Sequence, residues 1–219
     1  YIYIDARCID KDMDWPSLSI EMSNRHTGIG SDGIILLQSS QKAHLRMSMF
    51  NADGSEGSMC GNGIRCLVKY AQKQEVIPFE QTPVMVETAS GVLNVTPMMK
   101  EDQLIGARVK MGTPEFRATE IPVHFPNKTT VIDHPIKVLG YEFKINCVSM
   151  GNPHAVAFVD ENVDQVPLDI IGPIVENLNL FPKRVNFEIA NIKSRNEVKA
   201  RVWERGSGLT MACGTGACA

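Results

Sequence analysis

The feature that most constrains this chain is a phrase it writes twice. "MFNADGSEGSMCGNG" runs from Met49 to Gly63, and "VWERGSGLTMACGTG" from Val202 to Gly216. Each copy closes on Cys-Gly-X-Gly. Each has a polar side chain nine residues before its cysteine, Asn51 before Cys60 and Glu204 before Cys213. A cysteine followed by Gly-X-Gly and a helical pattern marks a helix N-terminus, where unpaired backbone N–H groups gather and the dipole favours negative charge. Such a terminus stabilises a thiolate, so the thiol pKa is expected to fall below its usual value of about 8.5. The same N–H groups hold a carboxylate or phosphate, and glycines let the ligand come close.

Two such segments do what one cannot. If duplicated halves face one another, a thiolate and a thiol flank one carbon. That is the arrangement for inverting a stereocentre: one sulfur removes a proton and the other delivers one to the opposite face. A single Cys-Gly-X-Gly has a plainer reading, a glycine-rich turn entering a helix.

The surrounding pattern fits a duplication. In the first half "YIYID" and "GIILLQ" read as strands, "DWPSLSIEMSNRHTGIG" as a short helix with Pro16 in its first turn and Gly28 as its stop, and "AHLRMSMFN" as a half-buried strand. Ile64, Leu67, Val68 and Ala71 share one face of a helix that follows Cys60. "PVMVETASGVLNVTPMM" is two strands about Ser90-Gly91, and "ARVKMGTP" is another. The second half repeats the grammar. "YEFKINCVSMGNPHAVAFVD" is strand, tight turn, strand, and "LDIIGPIVENLNLF" is a helix whose start is expected near Pro173. "VNFEIANIKSRNEVKARVWERG" is a hairpin turning at Ser194–Glu197. The boundary falls near Thr113-Pro114, giving halves 1–113 and 114–219.

Composition narrows the function classes. The net charge of -3 comes without a basic stripe, which argues against nucleic acid as a partner. No apolar run reaches the roughly 20 residues of a membrane span, and no signal peptide opens the chain. The six cysteines have no C-x-x-C pair, so no metal site is expected. Cys8, Cys66, Cys147 and Cys218 read as reduced, mostly buried thiols of a cytoplasmic protein. Both ends read as cut, since the chain opens inside a strand and closes where a helix should begin.

The segments "NRHTGIGSDG", "FNADGSEGSMCGNGIRC", "SMGNPHAV", "FPKRVNFEI", "WERGSG" and "ACGTGACA" resemble, in order, the diaminopimelate epimerase family. The resemblance covers most of the chain. It implies a mixed α/β fold of two pseudo-symmetric domains, each a curved mixed sheet around a central helix, the helices beginning at Cys60 and Cys213. It implies an isomerase that interconverts L,L- and meso-diaminopimelate in lysine biosynthesis without pyridoxal phosphate or any other cofactor, and a homodimer.

At matching positions the resemblance implies roles. Cys60 and Cys213 are the acid/base thiols. Gly61, Asn62, Gly214 and Thr215 cradle the carboxylate at the reacting end. Asn51, Asn152, Asn186, Glu204 and Arg205 bind substrate, chiefly its distal amino-acid end, where an Arg fork suits a carboxylate. His154 and Glu204 tune the thiols. The plainer alternatives are turn-shaping asparagines at 152 and 186, a loop histidine at 154, and a solvated Glu204-Arg205 pair. Two departures stand. The family's glycine-rich segment with Asn-Asp would precede Tyr1, and Gly33 occupies a position where some members have Gln. The rival readings are a racemase of related fold acting on a proline-type substrate, and a non-catalytic thiol protein.

Overall fold

A computed structural model describes residues 1–9, 12–78, 80–101, 103–125 and 129–219. The chain divides into two compact units, Tyr1–Gly112 and Thr113–Ala219.

The first unit is built on a seven-stranded mixed sheet in the order β1-β2-β3-β5-β6-β7, with β4 on β3. β1 (Ile2–Asp5) pairs parallel with β2 (Gly33–Gln38), and helix α1 (Trp15–Ser23) connects them. β3 (Leu45–Asn51) runs antiparallel to β2, and β4 (Glu56–Gly57) pairs with β3. Helix α2 (Gly61–Lys73) follows, then β5 (Val84–Thr88), β6 (Gly91–Lys100) and β7 (Gln103–Lys110).

The continuous apolar run of β2 is explained by burial on both faces. Ile34 and Leu36 pack with Ala6, Trp15 and Met22 on the α1 side. Ile35 and Leu37 pack with Ile64, Leu67, Val68 and Ala71 of α2 on the other. All four of those α2 side chains are fully buried, so the helix face read from the sequence is the one that enters the core.

Asp14 caps α1 by accepting from the Ser17 N–H at 3.1 Å, with Pro16 in the first turn. The helix stops at Ser23, earlier than the expected stop at Gly28. Asn24 ends it: its side-chain oxygen accepts from the N–H groups of His26 and Thr27 at 2.8 and 3.0 Å, which turns the backbone away. Gly28 instead lies in the returning loop against the helix end, where a Cβ would sit 2.2 Å from the Glu21 carbonyl oxygen.

The second unit is a six-stranded sheet in the order β13-β12-β11-β10-β9-β8. Its strands are β8 (His134–Val138), β9 (Tyr141–Ser149), β10 (Pro153–Phe158), β11 (Asn186–Ser194), β12 (Glu197–Glu204) and β13 (Gly208–Thr210). β10 and β11 are the parallel pair, joined through helix α3 (Leu168–Glu176). The two units therefore share a connectivity. A strand, a helix and a parallel strand are followed by an antiparallel strand, a short strand and a cysteine: β1-α1-β2-β3-β4-Cys60 in one, β10-α3-β11-β12-β13-Cys213 in the other.

α3 starts at Leu168, five residues before the expected start at Pro173. Proline inside a helix removes one backbone hydrogen bond and crowds the preceding turn. Here burial overrides it, because Leu168, Ile171 and Val175 are fully buried along one helix face. The thiols also differ from expectation. Cys147 is buried, but Cys8, Cys66 and Cys218 are exposed. Cys66 lies on the solvent side of α2, next to the buried Leu67, and follows its helix face rather than its residue type.

Candidate active site

Cys60 is the N-cap of α2, in extended conformation, and its sulfur accepts from the Gly63 N–H at 3.3 Å. Cys213 makes the matching sulfur contact in a hydrogen-bonded turn of its unit. The Gly216 N–H donates to its sulfur at 3.4 Å, and the Ala217 N–H donates to its carbonyl at 3.0 Å. The central helix expected to begin at Cys213 is not formed among the described residues: residues 214–218 are a hydrogen-bonded turn.

The last glycine of each Cys-Gly-X-Gly sits in tight space. A Cβ on Gly63 would lie 2.4 Å from Ile35 Cδ1, and one on Gly216 would lie 2.6 Å from Glu188 Oε1. A larger residue at either position would have to displace that side-chain end for the N–H to keep its reach to sulfur. In the first unit Gly61 is buried at the helix start, and Asn62 accepts from Arg65 through its side-chain oxygen. Asn51 ends β3, buried beside Gly33; its amide donates to Ser55 Oγ at 3.1 Å, and the Ser19 hydroxyl donates to its carbonyl at 2.8 Å.

In the second unit a buried polar chain leads to Cys213. The sulfur lies 3.2 Å from Thr215 Oγ1. Asn152 Nδ2 donates to Thr215 Oγ1 at 3.1 Å, and Asn152 Oδ1 lies 3.0 Å from His154 Nε2. His154 Nδ1 lies 2.7 Å from Glu188 Oε1. His154 is therefore a wholly buried strand residue with both ring nitrogens engaged, not a loop histidine. Gly214 precedes Thr215 in the same turn, and Thr215 is itself buried.

Glu204 closes β12 and accepts from the Thr210 hydroxyl. Burial pushes its carboxyl up from the ordinary range, against the pull of Thr210 and Cys213, which lie in hydrogen-bond contact with it. Cys213 is pushed up to about 12, by burial first and then by the Glu204 charge, which together outweigh the donors from Thr215 and Gly216. This reverses the expectation that a helix N-terminus would lower that thiol: no helix follows Cys213 among the described residues, and the low dielectric with a neighbouring carboxylate raises it. The thiolate is the nucleophile. Cys213 is thus expected to alkylate far more slowly with iodoacetamide at pH 8 than the exposed Cys8, Cys66 and Cys218, and to accelerate as pH rises toward 12. Site-resolved mass spectrometry over a pH series reads this; equal rates at pH 8 would contradict the buried thiol.

Asn186 and Arg205 are held by backbone. Asn186 Nδ2 donates to the Pro153 carbonyl at 3.0 Å, and its oxygen accepts from the Arg205 N–H at 2.8 Å. Arg205 Nη1 donates to the Lys183 carbonyl at 3.0 Å, and the half-buried guanidinium is not the solvated partner of Glu204. Glu176 organises this corner. It accepts from Trp203 Nε1 at 2.6 Å, Arg184 Nη1 at 3.1 Å and the Gly206 N–H at 3.2 Å.

Glu176, Glu188 and Thr210 were not singled out by their sequence. Glu188 carries a usable signal, a carboxylate in the middle of the apolar strand "VNFEIA". Glu176 and Thr210 carry none, since their partners are remote or their residue types unremarkable. Among the described residues no three of His, Cys, Asp or Glu gather as a metal-binding group, and no helix is long and apolar enough to cross a membrane.

The family model for diaminopimelate epimerase matches residues 3–117 and 146–219. The diaminopimelate epimerase of Agathobacter rectalis is 46% identical over 226 residues, covering 100% of this chain and 78% of the relative. That of Methanococcus maripaludis is 44% identical and covers 100% and 77%. Among solved structures, a probable proline racemase from Agrobacterium radiobacter K84 superposes with a TM-score of 0.71 at 15% identity, over 94% of this chain and 64% of that one. A hydroxyproline epimerase from Agrobacterium vitis gives 0.69 at 17%, over 95% and 64%. At such identities these two share the fold with this chain, and they are themselves longer than it. The paired cysteine turns, the repeated strand-helix-strand connectivity and the identity across the whole of this chain to relatives of which it covers 77–78% converge: the chain belongs to the diaminopimelate epimerase family.

Proposed function

We propose that this chain interconverts L,L- and meso-diaminopimelate by a two-thiol mechanism without pyridoxal phosphate, as a cytoplasmic homodimer. The observation that carries the reading is the pair of cysteines with matched backbone-to-sulfur contacts, in a chain 46% identical to a diaminopimelate epimerase. Each sulfur accepts the N–H of the last glycine of its Cys-Gly-X-Gly, at the start of α2 for Cys60 and in a turn for Cys213, so each unit offers a proton-transfer atom beside backbone N–H groups. One sulfur, as thiolate, takes the Cα proton; the electron pair spreads into the carboxylate as an enediolate, held by backbone N–H groups of the cysteine turns. The other sulfur, as thiol, gives its proton to the opposite face.

The high affinity of Cys213 for its proton fits it for the donor role at the start of a turnover, and Glu204 beside it fits it to regain that proton. Gly61, Asn62, Gly214 and Thr215 belong to the carboxylate cradle. Asn51, Asn152, Asn186, Glu204 and Arg205 serve the distal end, with His154 acting on a thiol.

The test uses the full-length protein with L,L-diaminopimelate in D₂O, reduced and without pyridoxal phosphate. Deuterium at Cα together with formation of the meso isomer is expected, read by mass spectrometry and chiral chromatography. A folded, reduced protein that incorporates no deuterium would sink the reading. Light scattering reads the homodimer separately.

A further inference from the structure

The Glu188–His154 pair is the most thoroughly buried set of ionisable groups in the second unit, with side-chain exposures of 4% and 0%. Its chemistry follows from counting protons. Asn152 Nδ2 donates to Thr215, so its Oδ1 faces His154 and can only accept. His154 Nε2 therefore carries a proton. On the far side of the ring, Nδ1 lies 2.7 Å from Glu188 Oε1. A bare ring nitrogen facing a bare carboxylate oxygen at that distance would place two lone pairs together. A second proton must lie between them.

With both ring nitrogens protonated, the ring donates to Glu188 from Nδ1 and still keeps its Nε2 proton, and that Nε2 proton sets the direction of every later bond. Nε2–H points at Asn152, so the Asn152 amide points its N–H groups at Thr215. The Thr215 oxygen then accepts, and the hydroxyl proton is left to point at the Cys213 sulfur, 3.2 Å away. With the Gly216 N–H the sulfur has two donors aimed at it. Glu188 also bears on the same turn directly, since its Oε1 lies against Gly216, where a Cβ would come within 2.6 Å. Its other oxygen is buried without a hydrogen-bond partner, so its defined polar engagement is with His154.

We propose that Glu188 is a positioning residue that holds a proton on the His154 ring and thereby aligns the chain His154–Asn152–Thr215 so that the Thr215 hydroxyl donates to the Cys213 sulfur. The consequence for the reaction rests on the epimerase reading above, whereas the state of the ring does not. Loss of the carboxylate lets the ring and the Asn152 amide choose the reverse direction, in which Thr215 donates to Asn152 and the sulfur loses one of its donors.

Two measurements on the full-length protein decide it. The first needs no activity: ¹⁵N spectra of protein with labelled histidine, His154 assigned by its loss in H154Q. Wild type is expected to show Nε2 protonated and Nδ1 in a strong hydrogen bond to a shared proton, and E188Q is expected to lose the shared proton. A bare Nε2 in wild type, or unchanged His154 nitrogens in E188Q, would overturn the proposal. The second is kinetic. E188Q is expected to lower kcat by about tenfold to a hundredfold with KM within about twofold, a loss typical of removing a partner that orients a reacting group. Equal losses in kcat and in folded fraction would mean a merely structural role. If E188Q does not fold, T215V and T215S in the folded protein replace it: a kcat loss in T215V that T215S, which keeps the hydroxyl, largely restores supports the proposal, and a loss in both or in neither overturns it. A wild type that turns over no diaminopimelate would remove the epimerase reading and leave the ¹⁵N result to decide the role of Glu188.

Discussion

Replacing either cysteine with alanine is expected to abolish net epimerisation while the protein stays folded. Positioned proton transfer contributes on the order of 10²–10⁴-fold to rate, and inversion needs both transfers, so each single variant forfeits at least one factor of that size. The structural cost is small by comparison. Each side chain supplies one backbone-to-sulfur hydrogen bond, at a helix start for Cys60 and in a turn for Cys213, and a lost helix cap costs about 1 kcal/mol. An activity loss far beyond any change in folded fraction therefore reports chemistry. The assay is formation of the meso isomer by C60A and C213A, with the melting temperature as control. Net epimerisation within about tenfold of wild type in either variant would break the two-thiol mechanism, since a single thiol then suffices.

Gly172→Ala should be among the most destabilising changes in the second unit. On an ordinary helix surface this substitution gains up to about 1 kcal/mol. Here the added methyl would lie 2.4 Å from Trp203 Cγ, 2.6 Å from Cδ2 and 2.7 Å from Cβ. Favourable carbon contacts are about 3.5–4.0 Å, so something must move by about an ångström. Trp203 is poorly placed to yield. Its backbone pairs with Phe187 on one side and Leu209 on the other, and its ring N–H is bound to Glu176. Overpacking of this kind costs about 1–3 kcal/mol, and the rigid neighbour puts this case at the upper end. A lowered urea midpoint with altered tryptophan fluorescence is expected. A midpoint raised above wild type would mean that α3 rides freely over β12. The residues after Trp203 are Glu204 and Arg205, so a shifted ring would also disturb the candidate distal site.

What was legible in the sequence was local. Ile64, Leu67, Val68 and Ala71 announced the buried face of α2, and the alternation of Leu45, Met47 and Met49 announced β3, because side-chain period and burial coincide there. The two cysteine turns were legible because the motif was written twice. The start of α3 was not, because a local rule about Pro173 lost to packing on residues remote in the chain. The high proton affinity of Cys213 was not, because burial and Glu204 act through tertiary structure. Glu188 shows in the sequence only as a carboxylate within an apolar strand. Its meaning depends on His154, more than thirty positions earlier in the chain and adjacent only through the parallel pairing of β10 with β11.

Cys60 holds a cap for which the better helix-capping residues are serine, threonine, aspartate and asparagine, and Cys213 makes the matching contact in its turn. A serine at 60 or 213 would fill nearly the same volume and accept the same N–H more strongly, yet its hydroxyl is far too weak an acid to trade protons with an amino-acid Cα. Under the two-thiol proposal, a selection for thermal tolerance alone would push these two positions toward serine and silence the protein while strengthening it. On that reading, sulfur here trades scaffold strength for proton transfer.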